Sequence, residues 1–254
     1  MIVARSVGEL DLPRNGVVGL VPTMGALHAG HVALFEAARP ECDVLVASVF
    51  VNPAQFSERA DLDAYPNDLE RDAATAAESG VDAVFAPPAE EMYPPGFATW
   101  VVPEGAASGL EGDHRPGHFR GVATVCVKLF NIVRPQRAWF GRKDAQQVAV
   151  LKQVVRDLNL DVEIRVVETV RDHDGLAVSS RNERLSPGER ARARAIPRAV
   201  QTHDPELARR ILAEAGIEPE YVAVADLDGP TLAVAARVGG TRLIDNARLE
   251  GAHD

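Results

Sequence analysis

Two histidines three residues apart, His28 and His31, follow a turn of small residues, Pro22-Thr23-Met24-Gly25-Ala26-Leu27, and lead into a stretch with helical spacing at 32–39. The apolar run at 17–21 before the turn reads as a buried parallel strand. The order is therefore strand, turn, helix, with both imidazoles at the helix start. Such a start leaves backbone N–H groups unpaired and carries partial positive charge, which suits an anion. Side chains three apart share a helix face and can address one ligand. Gly25 and Gly30 permit the close backbone approach that a bulky phosphate requires. Polyphosphate binding over a helix start is the chemistry these residues suggest. Histidines satisfied inside the fold are the plain alternative. A metal site is disfavoured, because no third ligand stands at suitable spacing and no His-Glu-x-x-His occurs.

Further chemistry-bearing residues recur after strand-like runs. Asn52 and Gln55 follow the second long apolar run, at 43–51. Arg115 lies in the polar, glycine-rich stretch 110–121, and loops of that composition are disproportionately functional. Lys143 follows Ala138-Trp139-Phe140-Gly141-Arg142, which repeats the opening order of strand, glycine, cation and helix. Ser179-Ser180-Arg181 places two hydroxyls beside a guanidinium. Cations and helix-start donors gathered this way suit charge developing on a polyphosphate during attack at phosphorus. Neither a Walker A motif nor Gly-x-Gly-x-x-Gly is present, which disfavours P-loop phosphotransfer and dinucleotide redox chemistry. No Gly-x-Ser-x-Gly elbow occurs either. From the residues alone the reading is transfer of a nucleotidyl group.

The elements that must hold these groups alternate. Strands are expected at 1–4, 17–21, 43–51, 81–86, 99–102, 138–140 and 162–167, with helices from about 31 to 40 and at 68–80, 122–132 and 148–157. Short, β-branched, near-continuous apolar runs belong to strands covered on both faces, hence to a parallel sheet built from βαβ units. From Ser186-Pro187 onward the pattern changes to an arginine-rich helix at 189–194, a helix at 205–215 and strands at 221–225 and 241–244. The expected fold class is α/β: a parallel-sheet domain at 1–170 and a small α+β domain at 171–254.

A chain of 254 residues, 46% hydrophobic and 25% charged, can build such cores without staples. The net charge of −10 argues against nucleic acid or an anionic membrane as the main partner. Cys42 and Cys126 sit inside apolar runs, which fits a reducing compartment better than a disulfide. With no signal peptide and no spanning apolar run, the expected location is cytoplasmic.

Taken together, the motifs resemble those of the pantoate–β-alanine ligase family. The matching blocks, in order, are 22–31, Phe50-Val51-Asn52-Pro53-Ala54-Gln55-Phe56, 110–122, Phe140-Gly141-Arg142-Lys143-Asp144 with Gln147, 174–182, and the late 238–246. The resemblance covers essentially the whole chain. It implies a Rossmann-like nucleotide-binding domain of the His-x-Gly-His nucleotidylyltransferase type with a small C-terminal lid domain, acting on ATP, Mg2+, pantoate and β-alanine through a pantoyl adenylate. It assigns His28 and His31 to the phosphates and the transition state. Lys143, Ser179, Ser180 and Arg181 would hold the triphosphate, Asp144 and the Gly141 backbone the ribose, and the Val170 backbone the adenine edge. Gln55 and Gln147 would bind pantoate, with the Met24 backbone near its carboxylate and Val122, Val125 and Cys126 around its methyls. Asn52, Tyr65 and Arg115 would contribute around the intermediate, and Asp72 is a magnesium candidate. A homodimer is also implied. Departures are a short opening at 1–15, Val178 where a methionine is usual, and a shortened stretch at 190–221. Weighed against the ligase are a nucleotidylyltransferase acting on another acceptor and a catalytically silent nucleotide-binding protein.

Overall fold

A computed structural model describes residues 1–13, 15–57 and 59–249. The chain parts into two compact units, one comprising Met1–Phe140 with Gln147–Val167, the other Gly141–Gln146 with Glu168–Asp254. Gly141–Gln146 thus leaves the first unit in mid-chain and is built into the second.

The first unit is organised by a parallel sheet of β1 (Ile2–Ala4), β2 (Val18–Thr23), β3 (Val44–Val49), β4 (Ala83–Phe85), β5 (Arg137–Gly141) and β6 (Glu163–Val167), in the order β1-β4-β3-β2-β5-β6. The β1–β4, β4–β3, β3–β2 and β2–β5 pairs are parallel. Its main helices are α1 (Ala29–Ala38), α2 (Leu69–Glu78), α3 (His118–Val133) and α4 (Ala145–Asp157). Successive strand residues point to opposite faces, and the core shows this directly. Leu20, Val46, Phe85 and Phe140 enter one apolar cluster, whereas Val21, Leu45, Val84 and Trp139 enter another. All six residues of β3 are buried, as expected of a strand covered on both sides. The chain runs outward from β2 through β3 to β4 and later resumes at β5 on the other side of β2. The order therefore reverses between β2 and β5. In open α/β sheets ligands bind outside the carboxyl ends of the strands at such a reversal. The His28–His31 segment leaves β2 at that end.

The second unit holds an antiparallel sheet, β7 (Pro219–Asp226), β8 (Pro230–Val238) and β9 (Thr241–Arg248), in that order. Against it pack α5 (Pro187–Ala193), α6 (Ala195–Val200) and α7 (Pro205–Glu214), with Ile196, Val200, Leu212, Leu232 and Val234 in the core. Both ends that sequence marks as helix starts are capped. Ser186 and Glu189 form a reciprocal box on α5, and Asp204 accepts from Glu206 and Leu207 on α7.

Three expectations are corrected. Residues 99–102 form no strand; Val101 N–H donates to Thr124 Oγ1 (3.0 Å) on α3 instead of to a neighbouring strand. The stretch 110–121 is largely helical, with one turn at Glu111–His114 and α3 beginning at His118. The central strand β8 is an addition to the expected elements. Six consecutive buried residues, mostly alanine and valine, erase the alternation that would have marked it.

Candidate active site

α1 opens on a reciprocal cap made by the two histidines. His28 is the N-cap; its Nδ1 accepts from the Gly30 N–H (3.1 Å), while its own N–H donates to His31 Nδ1 (3.2 Å). An imidazole nitrogen that accepts from an amide carries no proton, so in both rings the hydrogen sits on Nε2. The rings lie against each other with centroids 4.1 Å apart. The pair is therefore fixed as two Nε2–H donors. The helix-start amides are thus partly occupied by the histidines themselves, and each ring carries its N–H at Nε2.

The turn before the pair is closed by its own side chains. Gly25 N–H donates to Thr23 Oγ1 (3.1 Å), Ala26 N–H to Asp72 Oδ2 (3.0 Å) and Leu27 N–H to Asp72 Oδ1 (2.8 Å). Asp72, the magnesium candidate, is 2% exposed and has both oxygens engaged with backbone amides.

After β3 a polar chain runs through the protein. Tyr93 O–H donates to Asn52 Oδ1 (2.8 Å), Asn52 Nδ2 donates to Gln55 Oε1 (2.9 Å) and to Gly121 O (3.1 Å), and Gln55 Nε2 donates to Met24 Sδ (3.1 Å). Asn52 Oδ1 also accepts from Ala54 N–H, so all four bonding positions of its amide are used. At 1% exposure Asn52 orients Gln55 instead of facing a ligand. Desolvation holds the Tyr93 hydroxyl well above its ordinary range, keeping it a donor. Behind Gln55 stands His118, whose Nδ1 lies 3.0 Å from Gln55 O and whose Nε2 lies 3.1 Å from Arg115 Nη1. Only Nδ1–H fits these partners, since the guanidinium cannot accept. Glu111 approaches Arg115 at 3.7 Å. α3 packs so closely here that a Cβ on Gly121 would lie 2.3 Å from Ala54 O. Val122, Val125 and Cys126 are core residues of α3. Tyr65 meets Phe56 edge to face at 5.8 Å, and Gln147 is half-buried in the first turn of α4.

In the second unit Lys143, Ser179, Arg181 and Arg242 line one pocket with Leu176 and Asp245. Arg142 to Asp144 make a single helical turn capped by Gly141. Its backbone is held by β9, where Asn246 Nδ2 donates to Arg142 O (3.0 Å) and Lys143 O (2.9 Å). Next to it, Asp245 receives both Nη atoms of Arg171 (2.7 and 3.0 Å). Arg142, only 3% exposed, reaches Thr231 Oγ1 (3.0 Å) and Asp228. Its burial lowers the guanidinium pKa, opposed by Asp228. Lys143 Nζ lies 3.5 Å from Asp144. Ser179 caps the turn Ser180–Arg184, its Oγ accepting from Arg181 N–H (3.3 Å). The Val170 carbonyl accepts from Val178 N–H (2.9 Å).

Tyr93, His118 and Asn246 act on these residues; the last two lie in the matching blocks 110–122 and 238–246, but the sequence assigns none of the three a role. Each works through a neighbour distant along the chain, and single-sequence spacing carries no mark of that.

A parallel sheet with an order reversal at β2 and a capped histidine pair at the following helix start are the features of a Rossmann-like nucleotide-binding enzyme. A sequence profile of the pantoate-beta-alanine ligase family matches residues 4–248. The chain is 50% identical over 278 residues to the pantothenate synthetase of Chloroflexus aurantiacus, covering 99% of both, and 50% identical over 257 residues to that of Moorella thermoacetica, covering 92% of this chain and 91% of the other. The crystal structure of pantothenate synthetase from Thermus thermophilus matches with a TM-score of 0.91 and 47% identity, over 98% of this chain and 99% of that one. The pantoate-beta-alanine ligase of Francisella tularensis, crystallised with beta-gamma ATP and beta-alanine, matches with a TM-score of 0.88 and 36% identity, over 98% and 97%. The chain belongs to the pantoate-beta-alanine ligase family.

Proposed function

We propose that this enzyme condenses pantoate with β-alanine at the expense of ATP. In the first step a pantoate carboxylate oxygen bonds to the α-phosphorus while the bond to the bridging oxygen breaks, giving pantoyl adenylate and pyrophosphate. In the second the β-alanine nitrogen, having lost its ammonium proton, bonds to the acyl carbon, AMP leaves with the carboxyl oxygen it gained, and the nitrogen gives up a second proton to solvent or the departing phosphate as the amide forms. The observation that carries this reading is the capped histidine pair. Two fixed Nε2–H donors supply hydrogen bonds to charge building on phosphate oxygens, with no protein nucleophile required.

Each unit takes its own share of roles. In the first, His28 and His31 donate to the phosphates, Gln55 and Gln147 bind pantoate, the Met24 backbone lies near its carboxylate, and Val122, Val125 and Cys126 surround its methyls. Tyr65 and Arg115 contribute around the intermediate, and Asn52 acts through Gln55. In the second, Lys143, Ser179, Ser180 and Arg181 hold the polyphosphate, Asp144 and Gly141 the ribose, and Val170 the adenine edge, its N–H being the group left for that purpose beside a carbonyl engaged by Val178. Mg2+ would arrive on the triphosphate and neutralise its charge; ligated mainly by phosphate and water, it would call for few protein carboxylates. With Asp72 engaged by amides, no metal role is assigned to it. The reading includes a cytoplasmic homodimer. The acidic charge weighs against nucleic acid or anionic membrane as a partner, and no described helix is long and apolar enough to cross a membrane.

The test is incubation with MgATP, pantoate and β-alanine. AMP should be released only with both acids present, and hydroxylamine should trap the acyl adenylate. AMP release that ignores pantoate refutes the reading.

A further inference from the structure

The two residues before Leu27 both occupy the left-handed region, Gly25 at φ 80° and Ala26 at φ 51°. For alanine that conformation is unfavourable and persists only where its surroundings over-determine it. Successive amides in such a turn form a concavity that binds anions. Here the anion belongs to the chain: the Asp72 carboxylate, buried in the first turn of α2, receives Ala26 N–H and Leu27 N–H. The fit leaves no slack, since a Cβ on Gly25 would stand 2.7 Å from Asp72 Oδ2. The next amide, His28 N–H, is the one that fixes the His31 ring.

We propose that Asp72 is a positioning residue for the reaction. It clamps the Gly25–Leu27 backbone so that His28 N–H and its carbonyl enter α1 at the angle that aims both Nε2–H groups. Asp72 touches neither substrate nor metal; it acts through the turn. This rests on the donor role given to His28 and His31 above.

The test uses the full-length enzyme and two variants, Asp72→Asn and Gly25→Ala. The first replaces one acceptor with a donor that opposes an amide, and the second pushes a methyl into Oδ2 while leaving the carboxylate in place. Thermal unfolding establishes that each is folded at the assay temperature. Turnover in folded Asp72→Asn should fall by about 10²-fold, the scale of a misplaced catalytic group. Gly25→Ala should fall in the same direction. The magnesium concentration for half-maximal rate should match that of the unmodified enzyme. Histidine 15N spectra, showing two Nε2–H rings in the unmodified enzyme, should show mixed tautomers in the variants. Unmodified turnover in folded Asp72→Asn, or ring signals unchanged in both variants, overturns the proposal. So does a raised magnesium requirement with unchanged rings, which would make Asp72 a metal ligand. If Asp72→Asn does not fold, Gly25→Ala is decisive through the same measurements. Absence of pantoate-dependent AMP release in the unmodified enzyme would overturn the functional reading instead, and the ring signals would still decide the role of Asp72.

Discussion

The turn before α1 and the turn after β5 look alike in sequence, each a strand followed by glycine and basic or ring nitrogens, but they are held in opposite ways. At the first, successive backbone amides from Gly25 to His28 are bonded within the chain, by Thr23, Asp72 and His31. At the second, the bonds run to carbonyls: one side-chain amide, Asn246, donates to Arg142 O and Lys143 O. The first arrangement takes those four amides out of recognition and fixes the tautomer of both rings. The second fixes where Lys143 starts and leaves its four-carbon stem free to follow a phosphate. A group that must stabilise charge at one atom gains from rigidity, whereas a group that only neutralises a polyphosphate tolerates slack.

The contrast is open to direct tests. His28→Ala or His31→Ala should lower turnover by about 10²-fold or more, since each removes a transition-state donor and the ring contact that steadies the other imidazole. AMP-release assays on folded protein measure this, and near-normal turnover in both variants would abolish the distinction between the turns. Asn246→Ala should chiefly raise KM for MgATP, by roughly tenfold, about the 1.4 kcal/mol of one lost hydrogen-bonding partner; a pure kcat effect would mean that Lys143 is held as strictly as the histidines. Tyr93→Phe removes only the far end of the Asn52–Gln55 chain, so a few-fold rise in KM for pantoate with unchanged KM for ATP is expected, consistent with about 0.5–1.5 kcal/mol. Cys126 reports on the rigidity of the first unit. Burial pushes its thiol up to about 12, so iodoacetamide at pH 8 should label it only after denaturation.

The smallest effect concerns a loop in the second unit. His173, first through its side chain, and then Arg190 hold the Asp172 carboxyl at about 2, below its ordinary 3.8. A depressed carboxyl stabilises the fold above its unfolded value, and that contribution is lost as pH falls through the folded one. Asp172→Asn should therefore lower thermal stability slightly at neutral pH, with the two profiles converging as pH falls from about 3.8 to about 2. The group is exposed, so the difference should be small.

Much of this was legible in the order of residues. The strand, turn and helix around His28 follow from β-branched runs and helical spacing, and the role of a strand end follows from sheet topology. What spacing could not reveal is which ring nitrogen faces outward. That depends on Gly30 and His28 amides approaching Nδ1, which is a matter of ångströms. The family resemblance alone made Asp72 a magnesium candidate; its amide partners Ala26 and Leu27 lie 46 and 45 residues away, a separation that single-sequence spacing does not mark. The alanine-rich β8 was hidden because burial on both faces removes period-two contrast, and 99–102 misled because an apolar segment can lie on a helix as well as in a sheet.

The excursion of Gly141–Gln146 has a bearing on inheritance. The chain passes between the two units at Phe140/Gly141, at Gln146/Gln147 and at Val167/Glu168. A gene fragment starting at residue 168 would therefore encode the second sheet without the strand of backbone that Asn246 was built to hold. Its amide would have no carbonyls to meet, and the lysine would be left behind in the other piece. Recombination cannot trade this unit as a single cassette; the two segments have to be replaced together, and their sequences are expected to change together.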